Sequence, residues 1–179
     1  LNLRGYQQMG TTTPVRKTQT KEVTTPGLMA ENIADKKAIY ARAAYLDCYR
    51  AIDFLRLARK LDCSSVGIIG RGFGASCAAF VAAYSTRVGS LVLESPSLSW
   101  LHYSQNHSSG DISREINQYL HENRARRNDA KTALSYFDIL NFTDQISCPV
   151  MMSTGLKDTV NPPQAAFAFF NNLLTEKTA

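Results

Sequence analysis

The hydrophobic positions of this chain change period several times, and each change marks an element. From Ala30 to Leu61 the apolar residues Ile39, Ala43, Leu46, Tyr49, Ala51, Ile52, Leu55 and Leu57 recur at helical spacing. Asp35, Lys36, Arg42, Arg50, Arg56 and Arg59 fall largely on the other side, which predicts one amphipathic helix or two in succession. Val66 to Ile69 is a short unbroken apolar run, the pattern of a strand covered by helices on both faces. A small-residue helix is predicted from about Gly74 to Tyr84, and a second strand from Ser90 to Leu93 ends at Glu94. Ser95 to Ala133 is polar and reads as loop at first, with helical character around Ile112 to Asn123. Cys148-Pro149 leads into a third strand, Val150 to Ser153, and Pro162-Pro163 opens a last helix bearing Ala166, Phe167, Phe169, Phe170 and Leu173. The order β-α-β-(insertion)-β-α predicts an α/β protein with a mostly parallel sheet. Before all this, Leu1 to Gly5 resembles the end of a strand, and the threonine-rich stretch to about Gly27 reads as a loop.

Composition narrows the classes. At 179 residues and 44% apolar content the chain is a single domain able to bury a core. The net charge of +5 comes from scattered residues, among them Arg16, Lys17, Lys21, Lys36, Lys37, Arg124, Arg126 and Arg127. Without a long basic run or interleaved aromatics these read as solvated faces, and no nucleic-acid partner is expected. Cys48, Cys63, Cys77 and Cys148 are widely spaced and form no C-x-x-C pair, which suits reduced thiols and a cytoplasmic location. No apolar run approaches the roughly 20 residues of a membrane span, so no membrane partner is expected. No cluster at metal-ligand spacing is present, and neither a metal nor a cofactor is expected.

The chemistry should lie in Val66-Gly-Ile-Ile-Gly-Arg-Gly-Phe-Gly-Ala75, where a strand runs through a glycine turn into a helix. Gly70, Gly72 and Ala75 fit a dinucleotide-binding G-x-G-x-x-[GA], with Glu94 some twenty residues on, where an acid would hold a ribose. The same stretch fits a hydrolase G-x-S-x-G elbow whose serine position holds Gly72. The surroundings weigh against the first reading. A long helical region precedes the turn, and about fifty mainly polar residues follow the second strand.

Three further segments carry a resemblance. They are Tyr45-Leu-Asp-Cys-Tyr-Arg-Ala-Ile52, Leu134-Ser-Tyr-Phe-Asp-Ile-Leu-Asn-Phe-Thr-Asp144, and Cys148-Pro-Val-Met-Met-Ser-Thr-Gly-Leu-Lys-Asp-Thr-Val-Asn-Pro-Pro163. With Leu3-Arg4-Gly5, whose following Tyr6-Gln7 departs from the family's usual Gly-Gln, they are similar to the acetyl xylan esterase and cephalosporin C deacetylase family of α/β-hydrolases across nearly the whole chain. The resemblance implies an α/β-hydrolase core, cut at both ends, with an insertion at about residues 95–133. It implies Gly72 at the nucleophile position, Asp158 at the acid position, and the Phe73 N–H as an oxyanion donor. The family's early strands would precede Leu1, and its last strand and histidine would follow Ala179. His102, His107 and His121 fall in the insertion and do not substitute. Cys77 and Ser76 sit too far into the helix to act as nucleophiles, and Ser64 and Ser65 lie at the wrong end of the strand.

The expected activity by resemblance is removal of acetyl groups from xylan-type sugars and small acetyl esters. Without serine and histidine the chain alone is expected to be inactive. A non-catalytic esterase-like binding or assembly module is the alternative, and dinucleotide binding the second. An acetylated sugar is the expected partner, and self-association or a completing segment is implied for the open sheet.

Overall fold

The computed structural model describes residues 27–57 and 64–179. The strand end at Leu1–Gly5, the threonine-rich loop, Cys63 and the last residues of the predicted first helix lie outside them. Four strands form one sheet in the order β1 (Val66–Arg71), β2 (Val88–Glu94), β3 (Val150–Ser153) and β4 (Lys177–Thr178), and every pairing is parallel. Parallel neighbours need crossovers. Here they are α2 (Phe73–Tyr84) between β1 and β2, a long helical insertion between β2 and β3, and α6 (Pro163–Asn172) between β3 and β4. β4 was not read from the sequence.

The register sorts the strand residues into two rows. Ile68, Leu91 and Val150 align, as do Gly70, Leu93 and Met152. Of these, Leu91, Leu93, Val150 and Met152 are buried. Burying each such side chain contributes about 1.5–3 kcal/mol. The alternate row, Ile69, Val92, Met151 and Thr178, faces the other way. Ile69 is 75% exposed and Met151 56% exposed, so this face is open among the described residues. The unbroken Val66–Ile69 run thus belongs to a strand that alternates in burial, not to one covered on both faces.

α2 is buried nearly all round because its residues are small: Ala75, Ser76, Cys77, Ala78, Ala79 and Ala82 have almost no exposed surface. Such a helix can lie close to the sheet on one side and receive α1 (Tyr40–Leu57) on the other. The hub of that contact is Tyr45. Its ring lies 4.9 Å from that of Phe80 and about 6 Å from those of Phe73, Phe137 and Phe142, and its hydroxyl donates to the Phe137 carbonyl at 3.0 Å. Burial pushes the Tyr45 hydroxyl well above its ordinary pKa, so it remains a donor. The sequence periodicity assigned Leu57 to the apolar face, but Leu57 is 70% exposed; Ile39 and Ile52 are buried as read, and Ala41, Ala44 and Tyr45 join them in the buried stripe. Residues 28–38 are turns rather than helix.

The insertion is more helical than its polar composition suggests, with α3 (Leu101–His107), α4 (Asp111–Glu122) and α5 (Arg127–Ser135). Asp138 holds its entry in place. One carboxylate oxygen accepts from the N–H groups of Trp100 and Leu140 at 3.0 Å each, and the other accepts from Leu101 at 2.7 Å. This single side chain therefore joins the start of α3 to the 3₁₀ turns at Ile139–Gln145. Burial raises its pKa despite three donors. Asp138→Asn keeps an acceptor oxygen but turns an N–H₂ toward backbone donors. The expected loss is about 1–2 kcal/mol, read as a lower urea midpoint with unchanged slope.

Candidate functional site

The glycine turn is built by packing that forbids side chains. A Cβ on Gly70 would lie 2.4 Å from the Gly74 carbonyl oxygen and 2.7 Å from the Ala75 Cα, because strand and helix touch there. Gly72 has φ +55° and ψ −121°, a region that costs a side-chain-bearing residue about 1–3 kcal/mol. Its N–H donates to the Glu94 carbonyl at 2.9 Å, and its carbonyl accepts from Ala75 and Ser97 at 3.1 Å each. A Cβ at Gly72 would nonetheless meet nothing within 4 Å. The apex has a backbone conformation that suits glycine, and it is open in front.

The loop after β2 closes over this apex and was not read as a site element from the sequence. Ser95, Leu98 and Trp100 all have positive φ, an unusual density of backbone strain for non-glycine residues. The strain is held by many contacts. Ser76 Oγ donates to the Ser97 carbonyl at 2.6 Å, Ser99 Oγ to Ala165 at 2.6 Å, and Ile139 N–H to Leu98 at 2.9 Å. Ser76, dismissed as a nucleophile, is thus a buried tie to the loop. The available signal was Ser95-Pro-Ser-Leu-Ser-Trp100, a serine-rich stretch straight after a strand.

Between this loop, α3, α4 and residues 160–165 lies a cleft of about 330 Å³ with Gly72 and Phe73 in its floor. Its walls mix apolar side chains, among them Leu98, Leu101 and Ile116, with polar ones such as Gln105, Ser113, Glu115 and Asn161. The insertion is pinned to the opposite wall: Ser108 Oγ donates to the Val160 carbonyl at 2.5 Å, and Ser109 N–H to Thr159 at 2.7 Å. Glu115 accepts from the Ala30 N–H at 2.6 Å and so ties the turns before α1 to α4. Burial raises its pKa, with the backbone donors opposing. The folded state therefore holds the Glu115 proton more tightly than the unfolded chain. Stability from this group is present in acid and declines as pH rises through the folded pKa. Glu115→Gln should raise Tm at neutral pH and lose that advantage on acidification, as melting curves across pH would record.

The other sequence candidates are placed as follows. Asp158 lies in the loop beyond β3 but not in the cleft lining, and its Oδ1 accepts from Val160 N–H at 2.8 Å and Asn161 N–H at 2.9 Å. It shapes the turn that carries those two residues to the cleft. Nearby, the Thr154 hydroxyl is buried with no hydrogen-bond partner. Glu94 is exposed at the end of β2, in register with Arg71 and Ser153. Ala75 is buried in α2, and so is Cys77. His107 stacks on Tyr103 with ring centroids 3.9 Å apart, and His102 and His121 line a separate depression. Among the described residues no histidine lines the cleft, and no group of three or more His, Cys, Asp or Glu is placed to hold a metal. No described helix is long and apolar enough to cross a membrane.

A parallel sheet whose first strand breaks at a tight glycine apex into a buried helix, with the cleft at the carboxyl ends of the strands, defines the α/β-hydrolase fold. Within it, this chain belongs to the acetyl xylan esterase (AXE1) family, whose model matches residues 1–179. It is similar to the acetyl xylan esterase from Paenibacillus sp. R4, with 29% identity and a TM-score of 0.85 over 98% of this chain and 55% of that one. It is also similar to acetyl xylan esterase 1 from Thermoanaerobacterium sp. JW/SL YS485, with 26% identity and a TM-score of 0.81 over 99% of this chain and 56% of the other. Acetyl esterase Axe7A of Xylanibacter ruminicola is 28% identical over 167 residues, 89% of this chain and 36% of that protein. The chain thus spans just over half the length of these solved relatives and about a third of the curated one.

Proposed function

We propose that this chain binds acetylated saccharides in the cleft above Gly72 and does not hydrolyse them. The observation that carries the reading is the apex itself. Gly72 stands on the tight turn between strand and helix, the nucleophile position in this fold class, and has no side chain to attack with. Acyl transfer also needs a base within hydrogen-bond reach of the nucleophile. No described histidine supplies one. Asp158 occupies the acid position of the proposed triad, and its occupied Oδ1 fits a structural role at that position. The Phe73 N–H at the start of α2 remains as an oxyanion donor, able to hold an acetyl carbonyl.

A cleft with a mixed apolar and hydroxyl-rich lining supports a sugar ligand, since sugar rings offer apolar faces and hydroxyl edges together. Losing triad members leaves at most about 10³–10⁴ over water from binding and oxyanion contacts, far below turnover by an intact site. Gly72→Ser alone is expected to restore no hydrolysis of p-nitrophenyl acetate. Serine-dependent turnover by that variant would mean that a base is present. Calorimetry with an acetylated xylo-oligosaccharide tests binding directly: saturable heat is expected, and no heat at millimolar ligand would remove the binding claim.

A further inference from the structure

We propose that the insertion carries an oxyanion subsite between α3, α4 and α5 that receives the carboxylate of an acidic saccharide. This inference rests on the reading of the neighbouring cleft as a saccharide site. The depression holds about 190 Å³ and is lined by His102 from α3, His121 from α4, and Arg127 and Lys131 from α5, with side-chain amides between them. No carboxylate lines it. Two fixed positive charges and two imidazoles thus line one concave spot that no carboxylate lines, which makes it a local site for an anion.

The groups are partly pre-set. Arg127 Nε donates to the Leu120 carbonyl at 3.0 Å, which orients its guanidinium, and Asn117 Nδ2 is fixed on the Gln105 carbonyl at 2.6 Å. The nearest acid in sequence to His121 is Glu122, which accepts from Gln118 at 3.0 Å and is not part of the lining. Among the described residues neither Arg127 nor Lys131 makes an ion pair. An arginine fork beside a lysine suits a planar carboxylate or a phosphate.

Position favours the saccharide. Gln105 lines both this depression and the cleft, so only α3 separates them. A sugar seated above Gly72 that carries a charged branch could pass its carboxylate across Gln105 to Arg127 and Lys131. The histidines, which the cleft chemistry leaves unused, then have a role.

Ring resonances of the histidines, followed by NMR at about pH 6.5 and low salt, provide the test. D-glucuronate, inorganic phosphate and neutral D-xylose are titrated separately. Expected are saturable shifts of His102 and His121 with glucuronate, none of His107, and none with xylose. Lys131→Glu, an exposed change that leaves the fold intact, should weaken glucuronate binding about tenfold. Phosphate binding that glucuronate fails to displace would overturn the saccharide assignment. Absence of saturable shifts with all three ligands would overturn the subsite. Methyl resonances of Leu101 and Ile116, followed with a neutral acetylated xylo-oligosaccharide, report the cleft separately and distinguish its failure from that of the subsite.

Discussion

Gly70→Ala is expected to prevent the glycine turn from forming and to destabilise the fold by about 3 kcal/mol or more. The atoms that a new Cβ would strike are main-chain atoms, the Gly74 oxygen at 2.4 Å and the Ala75 Cα at 2.7 Å, and no rotamer change moves them away. Strand and helix would have to separate, which also pulls α2 from β2. Gly72→Ala is the control two residues on. Its Cβ meets nothing within 4 Å, so only the positive φ is penalised and a loss of about 1–2 kcal/mol is expected. Urea denaturation of both variants measures the contrast. Equal losses would show that close packing at Gly70 does not govern the turn.

Tyr45→Ala should cost about 3–5 kcal/mol, as expected for emptying a fully buried aromatic site. The ring is 1% exposed and touches aromatic side chains from α2 and from the segment after α5, so its loss opens a cavity where three parts of the chain meet. Tyr45→Phe keeps the ring and removes the 3.0 Å donor of the Phe137 carbonyl, for about 1 kcal/mol. Thermal unfolding of the pair separates packing from hydrogen bonding. A Phe variant as damaged as the Ala variant would contradict the assignment of most of the effect to the ring.

These two residues also show what the sequence could and could not tell. The glycine turn was legible because strand, turn and helix are local, and because Gly70 is required by close packing and Gly72 by its positive φ. Tyr45 was legible as part of a resembling segment but not as the centre of the core, since its partners lie as far off as Phe142 and only tertiary structure brings them together. β3 was read at its observed bounds, and α6 begins where Pro163 can serve as a first helical residue. β4 was missed because Lys177-Thr178 has no apolar signature. It exists through pairing with Val150 and Met151. α3 was read as loop because the backbone groups at its start are capped by Asp138, thirty-seven positions downstream of Leu101. Of the candidate site, Gly72 and Phe73 are in the cleft floor, whereas the Ser95–Trp100 loop and Glu115 owe their places to contacts that no local pattern encodes.

The central claim is that the cleft is kept and the chemistry is not. Acetate release from acetylated xylan by the purified chain, followed over hours against a protein-free control, tests it most directly. The account predicts release indistinguishable from the control. Release that saturates with substrate and is lost on blocking a protein serine would contradict it.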